Sequence, residues 1–327
     1  MATNSILRST LASCATLGSV FITWQIVSAT RVAGGAVSPL AGLFLQPMTA
    51  GGPDETVTVA TVDGRPLQAA IYRPHLSGGL APVLLYVHGG GFMTGSVTET
   101  DADLRWFADK GWLVVSVDYR LFPEGAPTWD LAPADVACAA AWLGTHASHF
   151  GGDIGRLAYL GDSAGGNLAI NLAYAAASGD VRSDCGAVPT GSAVVVQYPA
   201  VDPLAIYEHG YPVRGFEPRM LVSGYLGGSP HALPERVRAV SSHTHLHGHA
   251  PPTLILAPEK DGLVPAWSVI RFAHSARKSG IDVELVRIPF ANHVYNQLAA
   301  NSLGNQARRS ITVRFLAERG LAPRGER

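Results

Sequence analysis

The sequence predicts an α/β protein, with a mostly parallel central sheet and helices on both faces. Two observations carry this. From residue 55 onward, short continuous apolar runs alternate with longer helix-forming stretches. That is the pattern of strands buried on both faces and joined by helical crossovers. The chemistry-bearing residues His88, Ser163, Asp261 and His293 each fall just past one of these runs. Sheets of this kind bind ligands at that edge, beyond the carboxyl ends of their strands.

The elements follow in order. "TVTVATVDGRPLQAAIYRP" alternates around Asp63-Gly64, a hairpin-turn dipeptide. "PVLLYVHGG" is a buried strand, residues 98–110 a helix, and "WLVVSVDYR" the next strand. "DVACAAAWLGTHASHF" is a helix ending near Gly151-Gly152. The strand "RLAYL" then leads through a tight turn at Ser163 into a helix reaching about residue 178. "SAVVVQYP", "PTLILAP" and "VELVRIP" supply three more strands, with helices expected over 265–279 and 296–318. Residues 200–250 are a long insertion rich in Pro, Gly and His, and such segments commonly form a lid or pocket wall. Phe216, Met220, Leu221 and Tyr225 within it are expected chiefly in the core, with an acyl-site lining as the other reading.

Composition sets the bounds. The chain has 327 residues, 47% of them apolar, enough for a large core. A net charge of −1 gives no basic field for nucleic acid. Three cysteines, Cys14, Cys138 and Cys185, are too few for a disulfide framework. Free thiols are expected, with a Cys138–Cys185 bridge left open.

The first 50 residues differ from the rest, 51–327, which are expected to fold as one α/β domain. The only charges before Asp54 are Arg8 and Arg31, and Leu11–Ala29 is weakly polar throughout. As a helix its 19 residues would span roughly 28 Å, close to a hydrocarbon core of about 30 Å. Three readings stand: a membrane anchor acting through residues 11–45, a signal peptide cleaved after Val27-Ser28-Ala29, and a cap helix over the active site. The first two put the protein on a membrane or outside the cell, the third in the cytoplasm. The oligomeric state is left open.

Four groups supply one chemistry. Ser163 sits in Gly161-x-Ser163-x-Gly165 between a strand and a helix. That sharp turn projects a serine Oγ from the sheet edge, and the flanking glycines fit its tight path. "HGGGF" after the third strand offers the backbone amides of Gly90 and Gly91, joined by that of Ala164, as donors to an oxyanion. No Gly-Lys-Ser/Thr ends this loop, so a phosphate loop is disfavoured. His88 is expected to brace the loop. His293, after the last strand, is the base. Asp261 is the carboxylate that orients it, in the chain order Ser, Asp, His, and Glu259 is a neighbouring loop carboxylate. "HTHLHGH" at 243–249 has no acidic residue or cysteine nearby and is taken as a loop, with no metal. Phe92 and Met93 are the substrate-binding candidates.

Together "HGGGF" (88–92), "VDYRLFPE" (117–124), "GDSAGGNLA" (161–169), "PPTLIL" (251–256) and "NHVYN" (292–296) resemble the hormone-sensitive-lipase-like carboxylesterases of the α/β-hydrolase fold. The resemblance covers about residues 55–320. It implies a nucleophile at Ser163, a base at His293, an acid at Asp261, oxyanion donors at Gly90, Gly91 and Ala164, and no cofactor. Two positions depart from the family's pattern. Gly262 follows Asp261 where Pro is common, and Val294 follows His293 where Gly is common. The expected reaction is hydrolysis of small-molecule esters of short to medium acyl chain. Activity should fall below about pH 6, where an ordinary imidazole carries its proton. Amide or formamide cleavage by the same groups is the alternative, and an inactive, membrane-tethered binding protein the non-enzymatic one.

Overall fold

A computed structural model of the chain describes residues 51–324, apart from 76–78, 123–125, 182, 214 and 299–300. The apolar leader therefore lies outside the described residues. Among those described, no helix is long and apolar enough to cross a membrane.

Eight strands form one sheet: β1 (Glu55–Val62), β2 (Arg65–Tyr72), β3 (Ala81–Val87), β4 (Leu113–Val117), β5 (Gly152–Asp162), β6 (Ala193–Gln197), β7 (Thr253–Pro258) and β8 (Val283–Ile288). Their spatial order is β1-β2-β4-β3-β5-β6-β7-β8. β1 and β2 pair antiparallel across the Asp63-Gly64 turn, both of whose residues have positive φ (50° and 74°). β2 meets β4 antiparallel, and every later pair is parallel. The strand order reverses beside β3, which lies between β4 and β5. That reversal opens a crevice at the carboxyl edge of the sheet.

β3, β4, β6 and β7 are buried along their whole length, which is why they read as unbroken apolar runs. Two helices cover one face: α1 (Asp101–Asp109), and the C-terminal helix (Leu303–Glu318) numbered α9 below. The other face is covered by α2 (Leu131–His146), α3 (Ser163–Ser178) and, further along the chain, Ala266–Lys278, which is α7.

The 200–250 insertion folds as three short helices, α4 (Pro203–His209), α5 (Pro218–Leu226) and α6 (Pro234–Val240), and one 3-10 turn (Ser242–His245). Each helix starts on Pro, and two are capped by the residue before it. Asp202 accepts from the Ala205 amide at 3.0 Å, and Glu217 from that of Met220 at 2.9 Å. A proline at the first helical position has φ preset and no amide to satisfy.

Two expectations are corrected. The single helix over 296–318 divides into α8 (Tyr295–Leu298) and α9, because Ser302 Oγ accepts from the Asn305 amide at 3.2 Å and starts a new helix. The cysteines do not remain thiols: Cys138 on α2 and Cys185 beyond α3 form a disulfide, with Cα atoms 5.0 Å apart. Packing of α2 on α3 brings the two within reach, which 47 residues of sequence separation conceals.

Candidate active site

β5 ends at Asp162 and α3 begins at Ser163, whose φ of 53° marks a strained turn. The glycines around it follow from contact distances. A Cβ on Gly165 would lie 2.1 Å from the Val87 carbonyl oxygen, and one on Gly161 2.3 Å from that of Gly165. Strand and helix can meet this closely only without side chains there. The first amides of α3 have no intrahelical acceptor and carry partial positive charge.

His293 lies between β8 and α8, and Asp261 just past β7. Ser163 Oγ donates to His293 Nε2 at 2.9 Å, and His293 Nδ1 donates to Asp261 Oδ2 at 2.8 Å. The other carboxylate oxygen, Oδ1, accepts from the Val264 amide at 3.0 Å. All three side chains are buried, so this chain of hydrogen bonds sits in low dielectric. Glu259 instead pairs with Arg287 at 3.2 Å.

The glycine loop borders the same cleft: Gly89, Gly90 and Gly91 line it with Ser163 and His293. Gly90 has φ 104°, and a Cβ there would lie 1.9 Å from the Thr94 carbonyl oxygen. His88 takes no part in the hydrogen-bond chain through His293. Its Nδ1 donates to Gly89 O at 2.8 Å and its ring stacks on Tyr119 at 4.4 Å. Tyr119 Oη donates to the carbonyls of His88 and Gly89 at 3.0 and 3.2 Å, bracing the loop from behind. Burial pushes the His88 pKa from 6.5 down to about 4, so it stays neutral near pH 7.

Two cavities meet at Ser163. One is almost wholly apolar and is lined by Phe92, Ala164, Ile206, Leu221, Tyr225 and Leu263 among others. The second opens past His293, with Phe216, Val294 and Gln297 on its walls. Phe92 stacks face to face on Tyr225 at 3.7 Å. Met93, paired with Phe92 as a substrate-binding candidate, lines neither cavity. It packs half-buried against the core, because the loop turns back at this point and the Met93 amide donates to Gly90 O at 3.1 Å. Leu221 and Tyr225 serve both core and cavity, whereas Met220 is 40% exposed.

The histidines at 243–249 occupy the 3-10 turn and the loop after it. His247 Nε2 donates to Tyr174 O at 2.8 Å, and the His243 ring packs edge-on against Phe272. Among the described residues, no three His, Cys, Asp or Glu side chains gather as a metal site.

Several supporting residues escaped the sequence reading. Asn292 Oδ1 accepts from the Gly262 and His293 amides at 3.1 and 2.7 Å, tying the two loops together. Tyr198 packs against the His293 ring at 4.5 Å. Arg120 forks onto Asp135 and holds the segment after β4. "NHVYN" and "VDYRLFPE" contain two of these residues, but nothing in the sequence tells which partners they find.

The strand order, the helices on both faces and the serine at the strand-to-helix turn are those of the α/β-hydrolase fold. Within it, the BD-FAE family model matches residues 69–275, and the chain belongs to that family. A Mycobacterium tuberculosis protein named "Probable carboxylic ester hydrolase LipM" is 31% identical over 258 residues, 73% of this chain and 55% of that protein. A Pseudomonas putida protein named "Ethyl acetate hydrolase" is 40% identical over 126 residues, 36% of this chain and 37% of its own. The chain thus spans about half or less of the length of these curated relatives. A solved structure of a thermophilic esterase from Thermogutta terrifontis, with propionate bound, superposes with a TM-score of 0.67 at 25% identity. That match covers 84% of this chain and 97% of the other.

Proposed function

We propose that this protein is a serine carboxylesterase acting on small-molecule esters of short to medium acyl chain. The observation that carries the reading is the unbroken chain Ser163 Oγ, His293 Nε2, His293 Nδ1, Asp261 Oδ2 at 2.9 and 2.8 Å, placed where two cavities meet. Relatives named as ester hydrolases support the reaction class.

In the proposed reaction, His293 takes the Ser163 proton as Oγ attacks the ester carbonyl. The carbonyl oxygen becomes an oxyanion on the amides of Gly90, Gly91 and Ala164, where losing one donor typically costs about 10²–10³ in rate. His293 then gives its proton to the leaving alcohol, and an acyl-enzyme remains. Water, deprotonated by His293, releases the acid and returns the proton to Ser163. Asp261 holds the imidazole tautomer and stabilises the imidazolium. The apolar cavity suits the acyl chain and the His293 side the alcohol. Propionate bound to the Thermogutta esterase supports a short acyl group.

The test is a fluorophosphonate probe on wild type and Ser163→Ala, with the adduct located by peptide mass, and turnover of p-nitrophenyl esters of increasing length. We expect labelling at Ser163 and a fall in turnover of about a millionfold in the variant. Well-folded wild type with no adduct and no turnover would falsify the reading.

We also infer that the protein works on a membrane or outside the cytoplasm. The apolar leader and the Cys138–Cys185 disulfide support this, since disulfides persist in oxidising compartments. Fractionation of the native host, with the amino terminus of the mature chain sequenced, tests it; recovery in the cytosol with thiols free rejects it.

A further inference from the structure

Behind Ser163 lies a polar cluster that the reaction above does not use. Asp162, the residue before Ser163, ends β5 with its carboxylate buried. Gln197 Nε2 donates to its Oδ1 at 2.7 Å, and Asn296 Nδ2 to its Oδ2 at 3.2 Å. Tyr198 Oη donates to Asn296 Oδ1 and lies 3.4 Å from Asp162 Oδ2. Tyr295 Oη donates to Gln197 Oε1 at 3.2 Å. Gln197, Tyr198, Tyr295 and Asn296 are all buried. The cluster therefore joins the end of β5, the end of β6 and the one-turn helix α8, which begins two residues after His293.

The segment bearing His293 needs such an anchor. Between β8 and α8 it belongs to no ladder or helix, and Phe290 and Val294 both have positive φ, at 59° and 54°. Asn292 holds its front to Gly262, and the Asp162 cluster holds its back. The buried carboxylate is surrounded by charges and hydroxyls from four other elements. Arg308 of α9 attracts it, while Asp103 of α1 and the Glu99 carboxylate oppose its charge. The hydroxyls of Tyr86 on β3, Tyr198 and Tyr295 also face it. An acceptor-only group is required, because Gln197 and Asn296 each present an amide hydrogen.

We propose that Asp162 is a positioning residue whose carboxylate, through Asn296 and Tyr198, fixes the His293 segment at hydrogen-bond distance from Ser163. This rests on the hydrolase reading. Asp162 borders the second cavity but makes no hydrogen bond to His293, and it acts through the geometry of the base.

The experiment uses the full chain in three forms: wild type, Asp162→Asn, and the exchange Asp162→Asn with Asn296→Asp. In the single variant two amide groups face each other. In the exchange a donor again meets a carboxylate across the same gap, and Tyr198 keeps an acceptor. Rates are normalised to the sites that a fluorophosphonate labels at saturation, so unfolded protein does not count. Asp162→Asn should lower kcat about 10- to 100-fold with KM unchanged, the scale of a small misplacement of a reacting group. The exchange should restore most of it.

Wild-type kcat in Asp162→Asn overturns the positioning role, as does an exchange variant no faster than the single one. If Asp162→Asn does not fold, Tyr198→Phe keeps the ring beside His293 and removes only the hydroxyl. A kcat loss at constant KM supports the proposal, and an unchanged kcat overturns it. Wild type that neither labels nor turns over esters overturns the hydrolase reading itself, and the positioning role falls with it.

Discussion

Ser163 holds a φ of 53°, a conformation that costs on the order of 1–3 kcal/mol outside glycine. The strain persists because the surrounding backbone leaves no alternative path. Gly165 shows how little slack exists, since its missing Cβ would sit 2.1 Å from Val87 O and 2.3 Å from His88 O. Gly165→Ala should therefore lower stability by about 3 kcal/mol or more and abolish activity. An unchanged urea midpoint would show that the turn can yield. His88 makes a second prediction at this scale. Its pKa is lowered from 6.5 to about 4 by burial, so the unfolded chain binds this proton more readily than the folded one. The stability contributed is complete above pH 6.5 and is lost as pH falls toward 4, by roughly 3 kcal/mol in total. Stability curves of wild type and His88→Gln should differ in slope within that window; parallel curves reject it.

At the scale of elements, the insertion was legible as a pocket wall and illegible as helices. α4, α5 and α6 are too short for their apolar periodicity to stand out. The pairs Asp202-Pro203 and Glu217-Pro218 were the available signal, since each places a capping side chain before a proline. The helix over 296–318 was overextended for the reverse reason: its pattern continues past Ser302, and only the cap shows the restart. α5 puts Leu221 on the apolar cavity, against the glycine loop, where a Cβ on Gly91 would lie 2.7 Å from Leu221 Cδ2. Leu221→Ala should enlarge this cavity and, on the proposed function, move the preferred p-nitrophenyl ester toward longer chains, at a stability cost of about 2–5 kcal/mol. An identical chain-length profile would mean that α5 does not bound the acyl group.

For the whole molecule, the disulfide is the one covalent link between distant parts of the described chain. Closing a loop of 47 residues should stabilise the fold by about 4 kcal/mol on the chain-entropy view. Reduction under native conditions should lower the thermal midpoint, and Cys138→Ser/Cys185→Ser should match the reduced wild type. A midpoint indifferent to reductant would mean that the bond is not formed in solution.

The sequence alone determined what depends on near neighbours. Apolar runs marked the strands, Gly-x-Ser-x-Gly between a strand and a helix marked the turn, and the edge rule then gathered Ser163, Asp261 and His293 from three distant segments. Those features are legible because burial and backbone sterics act within a few residues. Tertiary structure alone decided which side chains meet. It joined Cys138 to Cys185, gave the cavity wall to Leu221 rather than Met93, and set Asp162 and Asn296 against each other behind the site. Such contacts depend on how helices and strands far apart in the chain pack together, and no local period in the sequence records that packing.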